Sequence, residues 1–168
     1  MQIDFTTDTG LAGELAALVN DAYAEGESGL WRPGAVRVTP ARTTELITAG
    51  EIAVARRAGQ IVGSVRIVQL APGLGELGML SAAPRGGGTG RALIDFAESW
   101  ARERGLPTMQ LEILTPRRGT HPEKEFLRSW YTRLGYHRVG ADDFAGVDPA
   151  EAANLAVPCD LVIFHKGL

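Results

Sequence analysis

The chain has 168 residues, 45% of them hydrophobic and 22% charged, with a formal net charge of −3, which fits one globular domain over residues 1–168 that buries roughly 70% of its unfolded surface. The mild acidity and the scattered Lys and Arg exclude a nucleic-acid binder; no apolar run approaches ~18 residues, which excludes a membrane span, and Met1-Gln-Ile-Asp-Phe5 has no apolar signal region. The single cysteine, Cys159, cannot form an intramolecular disulfide and has no metal-ligand spacing around it, so the expectation is a soluble, metal-free, cytoplasmic protein.

In chain order, residues 2–5 read as a short strand. Asp8 or Thr9 can cap a helix with an apolar face at Leu11, Leu15, Leu18, Val19, Ala22 and Tyr23, ended by Gly26. The stretch 25–38 carries Gly26, Gly29, Pro33, Gly34 and the pair Trp31-Arg32, and reads as a loop. Thr39-Pro40 is an N-cap followed by a first-turn proline, opening a helix that stops at Gly50. Strands are expected over 52–56 and 61–70, joined at Ala58-Gly59 as a hairpin, and again near 76–82 after the turn Pro72-Gly73. A helix starts near Thr89 and breaks at Gly105-Leu-Pro107; 109–114 is a strand, 116–122 a turn, and 123–134 a helix with an apolar face at 126, 127, 130, 131 and 134. Gly135 suits the position after that helix. Residues 137–140 form a short strand, Asp148-Pro-Ala-Glu151 a capping box for one or two turns, and 161–165 the final strand. The order is that of an α/β or α+β sheet with helices packed on it.

One stretch organises the rest. The apolar run 77–83 has strand length, Pro84 ends it, and Leu93, Phe96, Ala97 and Trp100 repeat at helical spacing. Between strand and helix, glycines at 86, 87, 88 and 90 remove side chains from the turn, so backbone N–H groups can converge on an anion beside the helix's positive end. No acid lies between Met79 and Ile94, while Arg85 and Arg91 bracket the glycines. A ligand-free glycine turn is the plainer alternative. No Gly-Lys-Ser/Thr follows, which excludes a Walker-type site. A dinucleotide fingerprint starts at Gly88-Thr89-Gly90, with Glu112 roughly where a ribose-binding acid belongs, but Leu93 stands in place of the third small residue, and too few β-α units follow.

The spacing Arg85-x-x-Gly88-x-Gly90 after a strand and Pro84 resembles the coenzyme A loop of the Gcn5-related N-acetyltransferase (GNAT) superfamily. About 40 residues on, Tyr131-Thr-Arg-Leu-Gly135-Tyr136 is similar to that superfamily's Tyr-x-x-x-Gly-Phe/Tyr signature. The resemblance, extended by element order over nearly the whole chain, implies a GNAT fold: a central mixed, mostly antiparallel sheet of about six or seven strands, splayed between the fourth and fifth and flanked by about four helices. It implies acetyl-CoA as co-substrate, with the pantetheine arm against backbone groups at Leu80 and Ala82, and the pyrophosphate wrapped by Arg85, Gly86, Gly87, Gly88, Thr89, Gly90 and Arg91. Relatives often carry Asn seven residues before the tyrosine, where this chain has Lys124.

The implied reaction is acyl transfer from acetyl-CoA to a primary amine by direct attack in a ternary complex; a non-catalytic acyl-CoA-binding sensor is the alternative. Direct attack requires an uncharged amine, a polarised carbonyl and a proton for the leaving thiolate. Tyr131 takes the position of the family's acid, with a core tyrosine as the competing reading. Glu76 is the candidate base, with Glu112 on the neighbouring strand able to do the same work, and a backbone N–H near Leu80 polarises the thioester. Cys159 lacks a basic partner in sequence, which argues against a covalent enzyme intermediate. Trp31 and Arg32 lie in the loop that covers the acceptor pocket in this superfamily, as substrate-binding residues or a packing anchor. Arg117-Arg118 could recognise an acidic acceptor or be solvated; His121, His137 and His165 share no metal or triad spacing. The expected acceptor is a small-molecule or peptide amine, and an exposed final strand could pair across a homodimer.

Overall fold

The computed structural model describes residues 1–168, with seven strands and six α-helices. No helix is long and apolar enough to cross a membrane. The residues divide into two compact units, one made of 1–23, 36–109 and 168, the other of 24–35 and 110–167.

In the first unit, β1 (Gln2–Phe5), β2 (Ile52–Arg57), β3 (Gln60–Ala71) and β4 (Leu74–Ala82) follow one another across an antiparallel sheet. Period-2 alternation sorts their side chains onto two faces. Ile52 and Val54, opposite Arg66 and Ser64, pack with Ala12 and Leu15 of α1 (Ala12–Gly26) and with Leu46 and Ile47 of α2 (Pro40–Thr48). The opposite face carries Gly63, Val65, Ile67 and, across from Ile67, Leu77, and it receives α3 (Thr89–Glu103). Leu93, Ile94, Ala97 and Ala101 of α3 are each no more than 1% exposed, and burial contributes about 1.5–3 kcal/mol for each of the two larger side chains. Gly63 sets the approach: a Cβ there would stand 2.7 Å from Thr89 Cγ2 and 2.8 Å from the Ser81 carbonyl oxygen. At the edge, Phe5 meets Phe96 and Trp100 of α3 at ring-centroid distances of 5.6 and 6.4 Å. Thr39 caps α2 through the Arg42 N–H at 3.1 Å, with Pro40 next, as the sequence leads one to expect.

The second unit holds β5 (Thr108–Pro116, entering the unit at Gln110), α4 (Pro122–Arg133), β6 (His137–Asp143), the single-turn helices α5 (Phe144–Val147) and α6 (Pro149–Ala152), and β7 (Cys159–Gly167). Two expectations are corrected here. The final strand is not exposed for pairing, because β7 lies between β5 and β6 and the edge is β6. The apolar stripe expected on α4 departs at one position: Tyr131 is buried and Leu127, Trp130 and Leu134 are half-buried, but Phe126 is 55% exposed, and Lys124, outside the stripe and seven residues before Tyr131, is buried. Two turns bring i and i+7 to one face, so a lysine joins the tyrosine below the helix because its charge is matched there. The capping box at α6 is half formed. Asp148 Oδ1 accepts the Glu151 N–H at 3.0 Å, while the Asp148 N–H is taken by the Phe144 carbonyl at 2.8 Å.

Candidate active site

In β4 the register breaks. Ser81 faces Ser64 and Gly78 faces Arg66, so Met79 and Leu80 together stand opposite the single residue Val65. This is a β-bulge, and Met79 takes a φ of 50°, a left-handed value that costs a non-glycine residue energy. Packing holds it there: the Met79 side chain joins both the Leu15/Leu46/Ile47 cluster and the Ala16/Val19/Val38 cluster. The bulge takes the backbone at Met79 and Leu80 out of the regular β3 ladder, whereas Ala82, the other residue expected to face the coenzyme, is back in register opposite Gly63.

Residues 83–88 are exposed and lead into α3. Gly86 and Gly88 adopt φ of 82° and 78°, and a Cβ on either would meet nothing within 4 Å. Gly88 is the N-cap of α3; no side chain caps the helix and no acid lies in its first turn, so the helix's positive end is uncrowded at Gly86 and Gly88. Thr89, expected to touch ligand, is 2% exposed and its methyl faces Gly63, which makes it a packing residue through its side chain. Arg85 is exposed. Arg91 is less available than its neighbourhood suggests, because its Nε donates to both oxygens of Asp95 at 2.9 and 3.0 Å, one residue past the acid-free stretch.

Glu76 lies on the α1/α2 face of β4 with its side chain 16% exposed. Arg66 Nη1 stands 3.6 Å from its Oε1, while Arg66 Nε holds Glu51 more closely at 2.6 Å. The other carboxylate considered, Glu112 on β5, is exposed and accepts a hydrogen bond from Gln110 Nε2 at 3.3 Å.

In the second unit Tyr131 is buried near the end of α4, 5.0 Å from the Trp130 ring and edge-on to Tyr136 at 5.9 Å. The Tyr136 N–H donates to the Tyr131 carbonyl and the Gly135 N–H to the Thr132 carbonyl, both at 3.0 Å, with Gly135 at φ 96°. That is a Schellman closure, complete with its contact between the flanking side chains. It explains physically why Tyr131, Gly135 and Tyr136 occur at this spacing, and it does so without the Tyr131 hydroxyl, which phenylalanine would lack.

The loop containing Trp31 is a fixed structure. Trp31 Nε1 donates to Glu27 Oε2 at 2.6 Å, and its ring meets Phe144 edge-on at 6.0 Å. The main chain is stitched to the segment after α6 by Arg32 N–H to Asn154 O and Ala156 N–H to Leu30 O, both at 2.8 Å. Trp31 is thus an anchor through packing, and Arg32 beside it is exposed. The main-chain bonds join residues 30–32, in the loop expected to cover the acceptor pocket, to residues 154–156.

Beneath this loop lies a pair that sequence reading missed. Lys124 Nζ stands 2.9 Å from Glu27 Oε1, with the two side chains 5% and 2% exposed. Lys124 therefore does not simply replace a coenzyme-contacting asparagine. Its only signal in the sequence was that departure, since Glu27 is 97 positions away. Cys159 is 1% exposed, and burial, followed by the Glu27 charge, pushes its thiol up to about 11. At neutral pH the sulfur stays protonated and is a poor nucleophile. Arg117 is committed to Asp160 and Asp143 at 2.7 and 2.8 Å, hydrogen bonds that raise its pKa further, so it serves as a clasp. His121 Nε2 pairs with the Ser28 carbonyl at 2.9 Å and His165 Nε2 with Gln110 Oε1 at 2.8 Å, while His137 is exposed at the start of β6.

The chain's relatives agree with this construction. No curated protein sequence matches it significantly. Among solved structures it is similar to a ribosomal-protein-alanine N-acetyltransferase from Brucella melitensis, with a TM-score of 0.72 and 21% identity over 100% of both chains. It is also similar to yncA from Salmonella typhimurium, solved with its cofactor acetyl-CoA, at a TM-score of 0.71 and 17% identity over 100% of this chain and 94% of that one. A Mycobacterium tuberculosis protein solved in complex with CoA aligns at a TM-score of 0.68 and 17% identity, covering 100% of this chain and 99% of that one. At such identities the likeness is one of fold. The sequence profile of the Acetyltransferase (GNAT) family matches residues 17–136, a span that runs from α1 through the bulged strand and the glycine loop to Tyr136, and the chain belongs to that family.

Proposed function

We propose that residues 1–168 act as one acyl-CoA-dependent N-acyltransferase domain that moves an acetyl group from acetyl-CoA to a primary amine by direct attack. The observation that carries this reading is the bulge at Met79–Leu80 followed by the uncapped, acid-free glycine turn at the start of α3. Together they offer main-chain groups to an amide-rich arm and, several residues on, N–H groups and positive charge to a pyrophosphate. That is the order in which those parts occur in coenzyme A. The family profile runs through both compact units, which supports reading them as one domain.

In this mechanism the amine lone pair attacks the thioester carbonyl carbon, whose oxygen is polarised by the backbone N–H near Leu80. The carbon–sulfur bond breaks, and the thiolate takes the proton of the Tyr131 hydroxyl. A phenol with a free pKa near ~10 is a workable donor to a thiolate of ~8.5. The attacking nitrogen loses its proton to Glu76, directly or through water, and Glu112 is the alternative base. The protonated, buried Cys159 supports a route without an acyl-enzyme. Arg32, exposed beside the anchored Trp31, is the acceptor-side residue of this reading, and its exposure leaves it open to a substrate. The acceptor is a small-molecule or peptide amine; the Brucella relative's name makes a peptide beginning with alanine a sensible member of the first panel.

The test is calorimetric titration with acetyl-CoA, CoA and NADH, followed by thiol release over a panel of amines. Micromolar binding of the first two, no NADH binding, and amine-dependent thiol release are expected. Coenzyme binding with no release for any amine class would favour the non-catalytic sensor, and binding of NADH alone would overturn the coenzyme assignment.

A further inference from the structure

The β2–β3 hairpin turns through Ala58 and Gly59, at φ of 50° and 81°. Two left-handed central residues make the tight turn whose twist matches the flanking strands. The turn fixes the direction of Arg57, the last residue of β2, and Arg57 Nη2 donates to the Gly87 carbonyl oxygen at 3.1 Å, 30 positions away in sequence. Arg57 therefore grips the glycine loop from a strand that the loop's own sequence does not contain.

The peptide it grips is the one entering α3. In a trans peptide the C=O and the following N–H point in opposite directions. A donor fixed on the Gly87 oxygen therefore turns the Gly88 N–H to the other side, and Gly88 is the N-cap of α3 with no side-chain cap of its own. Glycines at 86, 87 and 88 leave this peptide free to rotate in isolation; the guanidinium bond removes that freedom and, by drawing electron density to the oxygen, strengthens the N–H as a donor. Charge points the same way. Arg91 spends its guanidinium on Asp95, whereas the partner of Arg57 is a carbonyl, which does not cancel its charge.

We propose that Arg57 is a positioning residue of the coenzyme phosphate site: it orients the Gly87–Gly88 peptide toward the pyrophosphate and supplies positive charge that Arg91 shares with Asp95. This rests on the coenzyme reading above. It assigns to the hairpin between the second and third strands a part in phosphate recognition.

The experiment compares the wild type, Arg57→Gln and Arg57→Lys, each titrated with CoA and, up to millimolar concentration, with pantetheine, which lacks every phosphate. In Arg57→Gln, CoA binding weakens about tenfold, pantetheine binding is unchanged, and the melting temperature stays within about 2 °C, because Arg57 is exposed. Arg57→Lys recovers most of the loss by restoring the charge. Full CoA affinity in Arg57→Gln, an equal loss for pantetheine, or no recovery in Arg57→Lys would each overturn the proposal. A wild type that fails to bind CoA would instead overturn the coenzyme reading and take this one with it, so the two failures are told apart by the first titration.

Discussion

Two loops of this chain are built on opposite principles. The glycine loop at 83–88 is exposed, carries no capping side chain, and leaves the positive end of α3 uncrowded at Gly86 and Gly88. The loop at 27–35 is fixed from below by side chains, with Glu27 receiving both Lys124 and Trp31 inside a buried setting and the backbone stitched at Leu30 and Arg32. The first is shaped to receive something; the second is closed on itself and offers only residues such as Arg32 at its surface. A ligand that needs no side-chain recognition, a shared coenzyme, suits the first design. A partner that varies between relatives suits the second, because its anchor can stay fixed while exposed positions change.

The sharpest way to break the comparison is to put an anion into the first loop. Gly88→Asp places a carboxylate beside the donors that a phosphate would use, and the left-handed backbone there adds strain of about 1 kcal/mol. CoA affinity measured by calorimetry falls at least about a thousandfold while the melting temperature moves little. Retained affinity would show that the loop is only a turn.

In the second unit, Tyr131→Phe keeps the helix closure and the ring packing and removes only the hydroxyl. Turnover of the best amine falls by about a hundredfold, in the range for a general acid, with CoA affinity unchanged. Full turnover would reduce Tyr131 to a core residue. Lys124→Met leaves the buried Glu27 carboxylate without its cation, a loss of about 3–5 kcal/mol. For a chain of this size that lowers the melting temperature by roughly 10 °C. CoA affinity of the folded fraction should survive, since the two loops are built independently; a parallel loss of CoA binding would erase the distinction between them.

The same contrast explains what the sequence made legible. The glycine loop, the order of strands and helices, the hairpin at Ala58-Gly59 and the Tyr131–Gly135–Tyr136 spacing all depend on local backbone chemistry, so their residues announce them. The bulge at Met79 carries no such mark, because a methionine at positive φ is held by packing from α1 and α2 rather than by its own preference. Glu27 with Lys124, 97 positions apart, and Arg117 with Asp160, 43 apart, are long-range pairs whose members each read as ordinary surface charges. On α4 the apolar pattern located Leu127, Trp130, Tyr131 and Leu134 on the covered side but misplaced Phe126, and it gave no sign that Lys124 would go inside to meet a buried carboxylate.

The smallest expected effect tests whether charge in the first loop is as limited as its geometry implies. Arg91 and Asp95 form an i, i+4 pair on α3, with side chains 54% and 52% exposed, so solvent screens the pair and its own stabilising effect is slight. Asp95→Asn therefore costs little stability, but it removes the carboxylate that pairs with Arg91 and returns the full charge of Arg91 to the start of the helix. CoA affinity should rise about two- to threefold at low ionic strength and converge with the wild type near ~1 M salt, where the screening length falls to about 3 Å. An unchanged affinity at low salt would mean that Arg91 does not reach the phosphates. Recognition would then rest on the backbone donors, Arg85 and Arg57, and the substitution of Arg57 would have a correspondingly larger effect than that of Arg91.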